Sequence, residues 1–219
     1  GGDGFESATD WGNPNITYAQ AQYGWLVRYD KASGEKVPIQ PMPGDGEAAY
    51  RWNWDSPLLV SRHNASTIYF AANKLFKSTN RGDDWSTISP DLSRQLDRNK
   101  LPVMGQVWSM DAVMKNKSTT IYGNIVALDE SPIKQGLLYA GTDDGLIQVT
   151  TDDGKSWSRI DNIKGVPERT KVNMLTASLH DENEVFVAFN SQRDGDFAPY
   201  LLRSTNQGKS WESIASNLP

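Results

Sequence analysis

Cysteine is absent from the 219 residues of this chain, and histidine occurs only twice, at His63 and His180. The chain therefore has no disulfide, no thiolate metal site and no thiol nucleophile. Two histidines are too few for a multi-histidine metal centre. We predict no bound cofactor and no metal, with two calcium-like loops, described below, as the one reservation.

A basic surface and a long apolar run are also missing. The chain has 22 Lys and Arg against 27 Asp and Glu, which gives a formal net charge of −5. A nucleic-acid-binding domain concentrates positive charge on one face, and an anionic membrane surface attracts basic clusters. No apolar run approaches the roughly 20 residues of a membrane-spanning helix. We therefore predict no nucleic-acid partner and no membrane span.

The chain carries neither an initiator methionine nor a signal peptide, and it opens on GGDGF. We expect from this a processed or cut piece of a longer protein. The abundant residues are aromatic residues and turn formers, with 8 Trp, 8 Tyr, 18 Gly and 11 Pro. This composition favours many short strands joined by tight turns.

Four segments of the chain repeat one pattern, and they begin at Ile16, Thr67, Leu137 and Glu184. Each reads as a strand, a loop, a second strand, a turn and a third strand, with another apolar stretch in front. Aligned aromatic residues mark the units at Tyr18, Tyr69, Tyr139 and Phe186. Four antiparallel strands per unit at this spacing predict an all-β fold, a β-propeller of four-stranded blades.

The predicted boundaries make the whole chain one propeller region with about four blades. We place the blades at approximately residues 1–40, 52–90, 122–162 and 172–217. An insertion at approximately residues 90–122 separates the second blade from the third. Its segment SPDLSRQLDRN predicts a short helix with a capping Ser or Asp.

One eight-residue turn occurs three times, as STNRGDDW, TTDDGKSW and STNQGKSW. Hydroxyl and Asx side chains can close such a loop through backbone N–H groups. The glycine can adopt a positive φ, and the tryptophan can bury its ring between sheets. The repeated positions are Ser78, Asn80, Gly82, Trp85, Thr150, Asp152, Gly154, Trp157, Ser204, Asn206, Gly208 and Trp211. We interpret the turn as scaffold because every repeated residue has a structural role.

These turns resemble the Asp-box, or BNR, signature S-x-D-x-G-x-x-W of sialidases, two-propeller xyloglucan hydrolases and sortilin-type sorting receptors. The first blade departs from the signature, with Gly34 present but Ala32 at the Asx position and Val37 in place of Trp. That hairpin resembles those of YVTN-type propellers. In YGWLVRYDKASGE, LPVMGQVWSMDAV and LLYAGTDDGLIQVTTDDGKSW, the chain is most similar to large secreted bacterial proteins described as sortilin-like or BNR glycosyl-hydrolase-like.

The resemblance implies a secreted, periplasmic or cell-surface protein, with a bacterial source favoured. Asp-box propellers have six or more blades, so four blades imply part of a larger propeller. An incomplete ring exposes two edges, and we expect the remaining blades of the parent chain or an assembly partner there. The leading function is a non-catalytic binding module for a protein or glycan ligand. Glycoside hydrolysis by the parent protein and a structural subunit of an assembly are the alternatives.

The segment YRWNWDS, which precedes the second blade, is the densest polar-aromatic cluster of the sequence. A sugar ring stacks on an aromatic face while Asn, Asp and Arg side chains bond its hydroxyls. The ligand-binding candidates are therefore Arg51, Trp52, Asn53, Trp54 and, in the insertion, Trp108. The structural alternative is that these Trp rings cap the core and that Arg51 pairs with an acid.

A glycosidase needs two carboxyl groups about 5 to 9 Å apart. Asp55 and Asp111 are the candidate catalytic pair, because both are expected on the face opposite the repeated turns. The sialidase pattern also needs an early Arg-x-Pro motif, which this sequence lacks. The loops GTDDG and TTDDG resemble calcium loops but lack the alternating ligand spacing of calcium sites. Turn chemistry is the preferred interpretation of both loops.

Overall fold

A computed structural model describes residues 2–113, 115 and 121–218 of the chain. The strands form four separate sheets, and each sheet has four antiparallel strands in chain order. These sheets are the blades of a β-propeller, which confirms the predicted fold class. We number the blades 1 to 4 and the strands β1 to β16.

The four blades have the following strands. Blade 1 contains β1 (Gly4–Thr9), β2 (Ile16–Ala21), β3 (Trp25–Asp30) and β4 (Lys36–Pro38). Blade 2 contains β5 (Leu58–Val60), β6 (Ile68–Ala71), β7 (Leu75–Ser78) and β8 (Ser86–Thr87). Blade 3 contains β9 (Ile125–Glu130), β10 (Leu138–Thr142), β11 (Ile147–Thr150) and β12 (Ser158–Ile160). Blade 4 contains β13 (Lys171–Ala177), β14 (Val185–Asn190), β15 (Tyr200–Ser204) and β16 (Glu212–Ser213).

Helical structure in the described residues is limited to three single turns of 3-10 helix, at Gln22–Gly24, Arg98–Lys100 and Gln192–Asp194. The short helix expected over SPDLSRQLDRN does not form, since residues 89–97 are irregular and only a 3-10 turn follows at Arg98–Lys100, where the Asp97 carboxylate accepts the N–H of Asn99. A helix this short has too few internal hydrogen bonds to extend without packing. No helix in the described ranges is both long and apolar enough to cross a membrane.

The hydrophobic core lies between neighbouring blades. The first strands follow one another around the axis, since β1 contacts β5, β5 contacts β9 and β9 contacts β13. The aromatic residues aligned in the sequence hold equivalent positions on the second strands. Tyr18, Tyr69 and Tyr139 are buried in clusters that include residues of the following blade. Phe186, the fourth of the series, is only half-buried.

The three repeated turns share one internal hydrogen-bond pattern. In the last turn the Ser204 hydroxyl donates to Asn206 Oδ1 at 3.0 Å and accepts the Gly208 N–H at 2.8 Å. Asn206 Oδ1 also accepts the N–H of Ser210 at 2.9 Å. The same bonds recur in the other two turns, with serine or threonine and Asn or Asp in the two side-chain positions. Each loop is thus closed by its own side chains.

Each repeated turn also contacts the preceding blade. The glycines lie so close to an isoleucine that a Cβ would come within 2.6 Å of Ile39, 2.4 Å of Ile88 and 3.0 Å of Ile160. The Trp85 indole N–H donates to the Ile39 carbonyl at 2.7 Å, and Trp157 donates to the Ile88 carbonyl at 3.0 Å. Trp211 packs in the same cluster as Ile160, but its indole nitrogen is buried without a partner in the part of the chain that the structure describes.

We expect Gly154→Ala to destabilise the protein more than Gly34→Ala. Both glycines have a left-handed backbone, with φ of +88° and +78°, which costs an L-residue about 1–2 kcal/mol. Gly154 in addition lies against the carbonyl of Ile88, whereas a Cβ on Gly34 would meet nothing within 4 Å. Overpacking of this kind costs about 1–3 kcal/mol. Urea unfolding of both variants measures the difference, and equal losses would contradict the inter-blade role of the turn.

Candidate functional site

Three aromatic rings, two from blade 1 and one from the loop between blades 1 and 2, meet on the propeller face opposite the repeated turns. The Trp54 ring centroid lies 5.3 Å from that of Tyr23 and 6.3 Å from that of Phe5, edge to face in both cases. Trp54 lies in the loop before β5, Tyr23 in the loop between β2 and β3, and Phe5 in β1. Trp54 is 42% exposed and Tyr23 is 41% exposed. We call these three rings the aromatic cluster.

The loop that carries Tyr23 is held in an unusual conformation. Tyr23 has a left-handed backbone with φ of 60°, which is uncommon for a bulky residue. Its carbonyl accepts a hydrogen bond from Gln40 Nε2 at 3.3 Å. Gly24, the next residue, packs so closely on Trp52 that a Cβ would overlap the indole ring. The fold thus fixes a strained tyrosine at the surface, a feature that occurs often at binding sites.

Polar groups adjoin the aromatic cluster. Asp55 follows Trp54 in the sequence, and its carboxylate accepts a hydrogen bond from Gln20 Nε2 at 3.4 Å. Gln20 itself is 4% exposed, and its carbonyl oxygen is buried without a partner among the described residues. Loss of solvent around the carboxylate raises the pKa of Asp55 and of Glu6, and the charge of Asp55 adds to the rise at Glu6. The amide N–H groups of Gln20 are used on Asp55 and on the Ser56 carbonyl, so the Asp55 carboxylate is the hydrogen-bonding group beside the rings.

Trp52, one of the predicted ligand-binding residues, lies in the hydrophobic core. It is 7% exposed and stacks within the core, with its ring centroid 4.9 Å from that of Phe70 and 5.7 Å from that of Phe76. In YRWNWDS the two tryptophans therefore point to different surroundings. Trp52 packs against Gly24 of the loop between β2 and β3, while Trp54 is exposed.

Arg51 and Asn53 are engaged in structural hydrogen bonds. Arg51 forms an ion pair with Asp91 at 2.6 Å and donates to the Gly123 carbonyl at 3.0 Å. Asn53 Nδ2 donates to Asn124 Oδ1 at 2.8 Å, and Asn53 Oδ1 accepts the Asp55 N–H at 3.0 Å. Both side chains therefore join blade 2 to the start of blade 3. This arrangement matches the structural alternative for Arg51 and leaves Asn53 a positioning role.

Asp143 is a candidate that sequence reasoning missed. It lies in the loop between β10 and β11, where its carboxylate accepts the N–H groups of Gly123 and Asn124, each at 2.9 Å. Burial raises the pKa of Asp143 to about 7, and the neighbouring Asp144 carboxylate adds to the rise. The Lys171 ammonium partly opposes the rise in pKa at both Asp143 and Asp55, so it lies within electrostatic range of both carboxyl groups. The available signal was the Asp pair in GTDDG, which we interpreted as turn chemistry.

Trp108 and Asp111 lie in the insertion and line a cavity of about 830 Å³ together with Met104 and Tyr122. Trp108 is 44% exposed, and its indole N–H donates to the Val103 carbonyl at 3.0 Å. Asp55 contacts Gln20 instead and does not line this cavity. Residues 114 and 116–120 of the same insertion lie outside the described part of the chain. The pairing of Asp55 with Asp111 therefore stays a prediction.

The two calcium-like loops use their carboxylates as hydrogen-bond acceptors. In GTDDG, Asp144 accepts the Thr142 hydroxyl at 2.6 Å and the Arg94 N–H at 2.7 Å. In TTDDG, hydrogen bonds from Ser156 lower the pKa of Asp152 to about 2. Within residues 2–113, 115 and 121–218, no three His, Asp or Glu side chains are arranged to hold a metal ion.

Comparison with known proteins identifies the fold through solved structures. No protein-family model matches the sequence, and no curated protein matches it. An ancestral GH74 enzyme superimposes with a TM-score of 0.63 at 16% identity, over 99% of this chain and 24% of the enzyme. The GH74 xyloglucanase from Xanthomonas campestris gives 0.61 at 16% identity, over 99% of this chain and 31% of the enzyme.

A third similar structure is not described as an enzyme. It is the extracellular domain of a putative one component system from B. thetaiotaomicron, with a TM-score of 0.50 at 14% identity, over 84% of this chain and 20% of that one. At these identities the likeness establishes the propeller fold and nothing finer. The chain spans about a quarter to a third of the length of the two GH74 enzymes.

We expect Asp143→Asn to stabilise the protein at neutral pH. The pKa of Asp143 is about 7 in the folded protein and about 3.9 in an unfolded chain. The folded state therefore keeps a proton that the unfolded state has lost, so stability falls as the pH rises from about 4 to about 7. Asparagine keeps an oxygen for the Gly123 and Asn124 N–H groups but does not ionise.

Urea unfolding at two pH values measures this effect. The free energy of unfolding of Asp143→Asn should exceed that of the parent protein by roughly 2–4 kcal/mol at pH 7.5 and match it closely at pH 3.5. Asp45→Asn, in an exposed loop, is the control and should change little at either pH. An equal difference between Asp143→Asn and the parent at both pH values would contradict the raised pKa.

Proposed function

We propose that this chain is the carbohydrate-binding part of a secreted or cell-surface propeller protein of bacterial type. The observation that carries the proposal is the aromatic cluster of Trp54, Tyr23 and Phe5 beside Asp55 and Gln20. Exposed rings offer apolar faces to the C–H groups of a sugar. The adjoining carboxylate and amide groups bond hydroxyls.

Several features favour binding at this face. The aromatic cluster joins blade 1 to the loop between blades 1 and 2, and ligand sites occur where rigid elements position loops. The strained backbone of Tyr23 is fixed from below by the contact of Gly24 with Trp52. One of the GH74 neighbours is named a xyloglucanase, which makes xyloglucan the first ligand to test.

We assign the repeated turns to the Asp-box class and give them a scaffold role. The turns close on their own side chains and pack on the preceding blade. They lie between the third and fourth strands, which places them at the opposite end of the blades from the aromatic cluster. A ligand at the aromatic cluster would therefore leave them untouched.

Trp54→Ala should weaken polysaccharide binding at least about tenfold, which corresponds to ~1.4 kcal/mol. Trp25→Ala is the matched control, because Trp25 is similarly exposed at 45% and its ring contacts Lys36 of β4. Calorimetry or affinity electrophoresis with xyloglucan, and with a panel of other polysaccharides, measures both variants. Binding that Trp54→Ala leaves unchanged, or that Trp25→Ala weakens equally, would contradict this site.

Glycoside hydrolysis is the second candidate, and the raised pKa of Asp143 is the observation that favours it. A carboxyl group with a pKa of about 7 is protonated often enough at neutral pH to act as a general acid. Asp55, which shares the influence of Lys171, is its candidate partner as base or nucleophile. Under this hypothesis the chain supplies both carboxyl groups from one face.

Reducing-end assays on the same polysaccharides decide between the two functions. A hydrolase should release sugar and lose at least about a hundredfold in rate in both Asp55→Asn and Asp143→Asn. A binding module should release none over prolonged incubation while it retains the Trp54-dependent affinity. Turnover that survives both substitutions would exclude this pair of residues.

A further inference from the structure

Blade 4 has one apolar sheet face that no described residue covers fully. Met174 on β13 is 59% exposed, and Ile214, just after β16, is 36% exposed. Phe186 on β14 and Leu201 on β15 are half-buried. We call these four residues the blade 4 face. Strand pairing places them side by side, since Ala188, two residues after Phe186, is opposite Leu201 on one side and Met174 on the other.

The same positions in the earlier blades pack against the following blade, and strand register identifies them. Blade 1 has Tyr18, Leu26 and Ile39, blade 2 has Tyr69, Leu75 and Ile88, and blade 3 has Tyr139, Ile147 and Ile160. The tyrosines and the third-strand aliphatic residues among these are at most 1% exposed. In each case they cluster with residues of the following blade. The blade 4 face is therefore the fourth member of a series in which three members are covered.

The way in which the three earlier faces are covered is specific. The isoleucine of each face lies beneath the glycine of the next blade's repeated turn. At Ile39 and Ile88 the carbonyl also accepts the indole N–H of that turn's tryptophan. Ile214 is the residue of blade 4 at this position. A blade with the same turn would meet it in the geometry already seen three times.

We propose that the blade 4 face binds a further four-stranded blade that carries a Ser/Thr-x-Asn/Asp-x-Gly-x-x-Trp turn. The glycine of that turn lies on Ile214, its tryptophan reaches the Ile214 carbonyl, and its second strand covers Phe186 and Leu201. Continuity with the three junctions inside the chain supports this occupant. Blade 1 of a second copy fits less well, because its turn has Gly34 but Val37 in place of the tryptophan.

Photo-crosslinking tests this proposal. It is carried out on the full-length polypeptide that the source cell produces. p-Benzoylphenylalanine is placed at position 214 in one variant and at position 174 in another, since the exposed Met174 tolerates a large side chain best. The matched control carries it at position 160, where the adjacent glycine is Gly208. After irradiation and digestion, the control should yield a crosslinked peptide that contains Gly208 and Trp211.

The proposal expects the 214 and 174 variants to link to a peptide with the same Gly and Trp spacing, from outside residues 1–219. Three results would overturn it while the control reacts. One is a link to residues 25–37 of a second copy, which would make the face a homodimer interface. Another is a link to a protein without such a turn. The last is no crosslink at either position, which would leave the face open to solvent.

Discussion

The contact between the glycine of a repeated turn and an isoleucine of the preceding blade is the constraint on which the other features depend. At Gly82, Gly154 and Gly208 a side chain would collide with that isoleucine. The turn must therefore close compactly, which its hydroxyl and Asx side chains achieve with internal hydrogen bonds. The polar turn between the third and fourth strands thus packs on an isoleucine of the preceding blade, and this contact fixes the spacing between blades. Because propeller blades contact only their neighbours, repeated junctions of this kind set the geometry of the whole array.

A fixed stack of blades leaves the opposite face free to carry function. The loops there differ from blade to blade, and two of them bring Trp54 and Tyr23 within 5.3 Å of each other. Arg51 and Asn53 tie the loop of Trp54 to the start of blade 3. The aromatic cluster is therefore held by the scaffold although it lies at the surface. Asp143 is held in the same way by two backbone N–H groups, which orient a carboxyl group of unusual pKa beside Lys171.

The repeat could be predicted from the sequence, whereas the site could not. Tyr18, Tyr69, Tyr139 and Phe186 aligned in the sequence and occupy one register position in the structure. That agreement arises because strand period and turn chemistry are local, and a repeat presents the same local solution several times. The site had no such redundancy. Trp52 and Trp54 lie two residues apart in an irregular loop, so alternation did not reveal that one is core and the other surface.

The sequence by itself determined the all-β class, the four-stranded blade and the closed turn, because side-chain alternation and Asx, hydroxyl and glycine chemistry act within a few residues. Only the tertiary structure decided which polar groups are functional candidates. Burial raises the pKa of Asp143, while hydrogen bonds from the N–H groups of Gly123 and Asn124, some 20 residues away in sequence, oppose the rise. Asp55 contacts Gln20, whereas Asp111 lines the cavity of the insertion, although each aspartate follows a tryptophan within three residues. The physical reason is that desolvation and proximity are properties of packed surfaces, and packing joins residues that the sequence keeps apart.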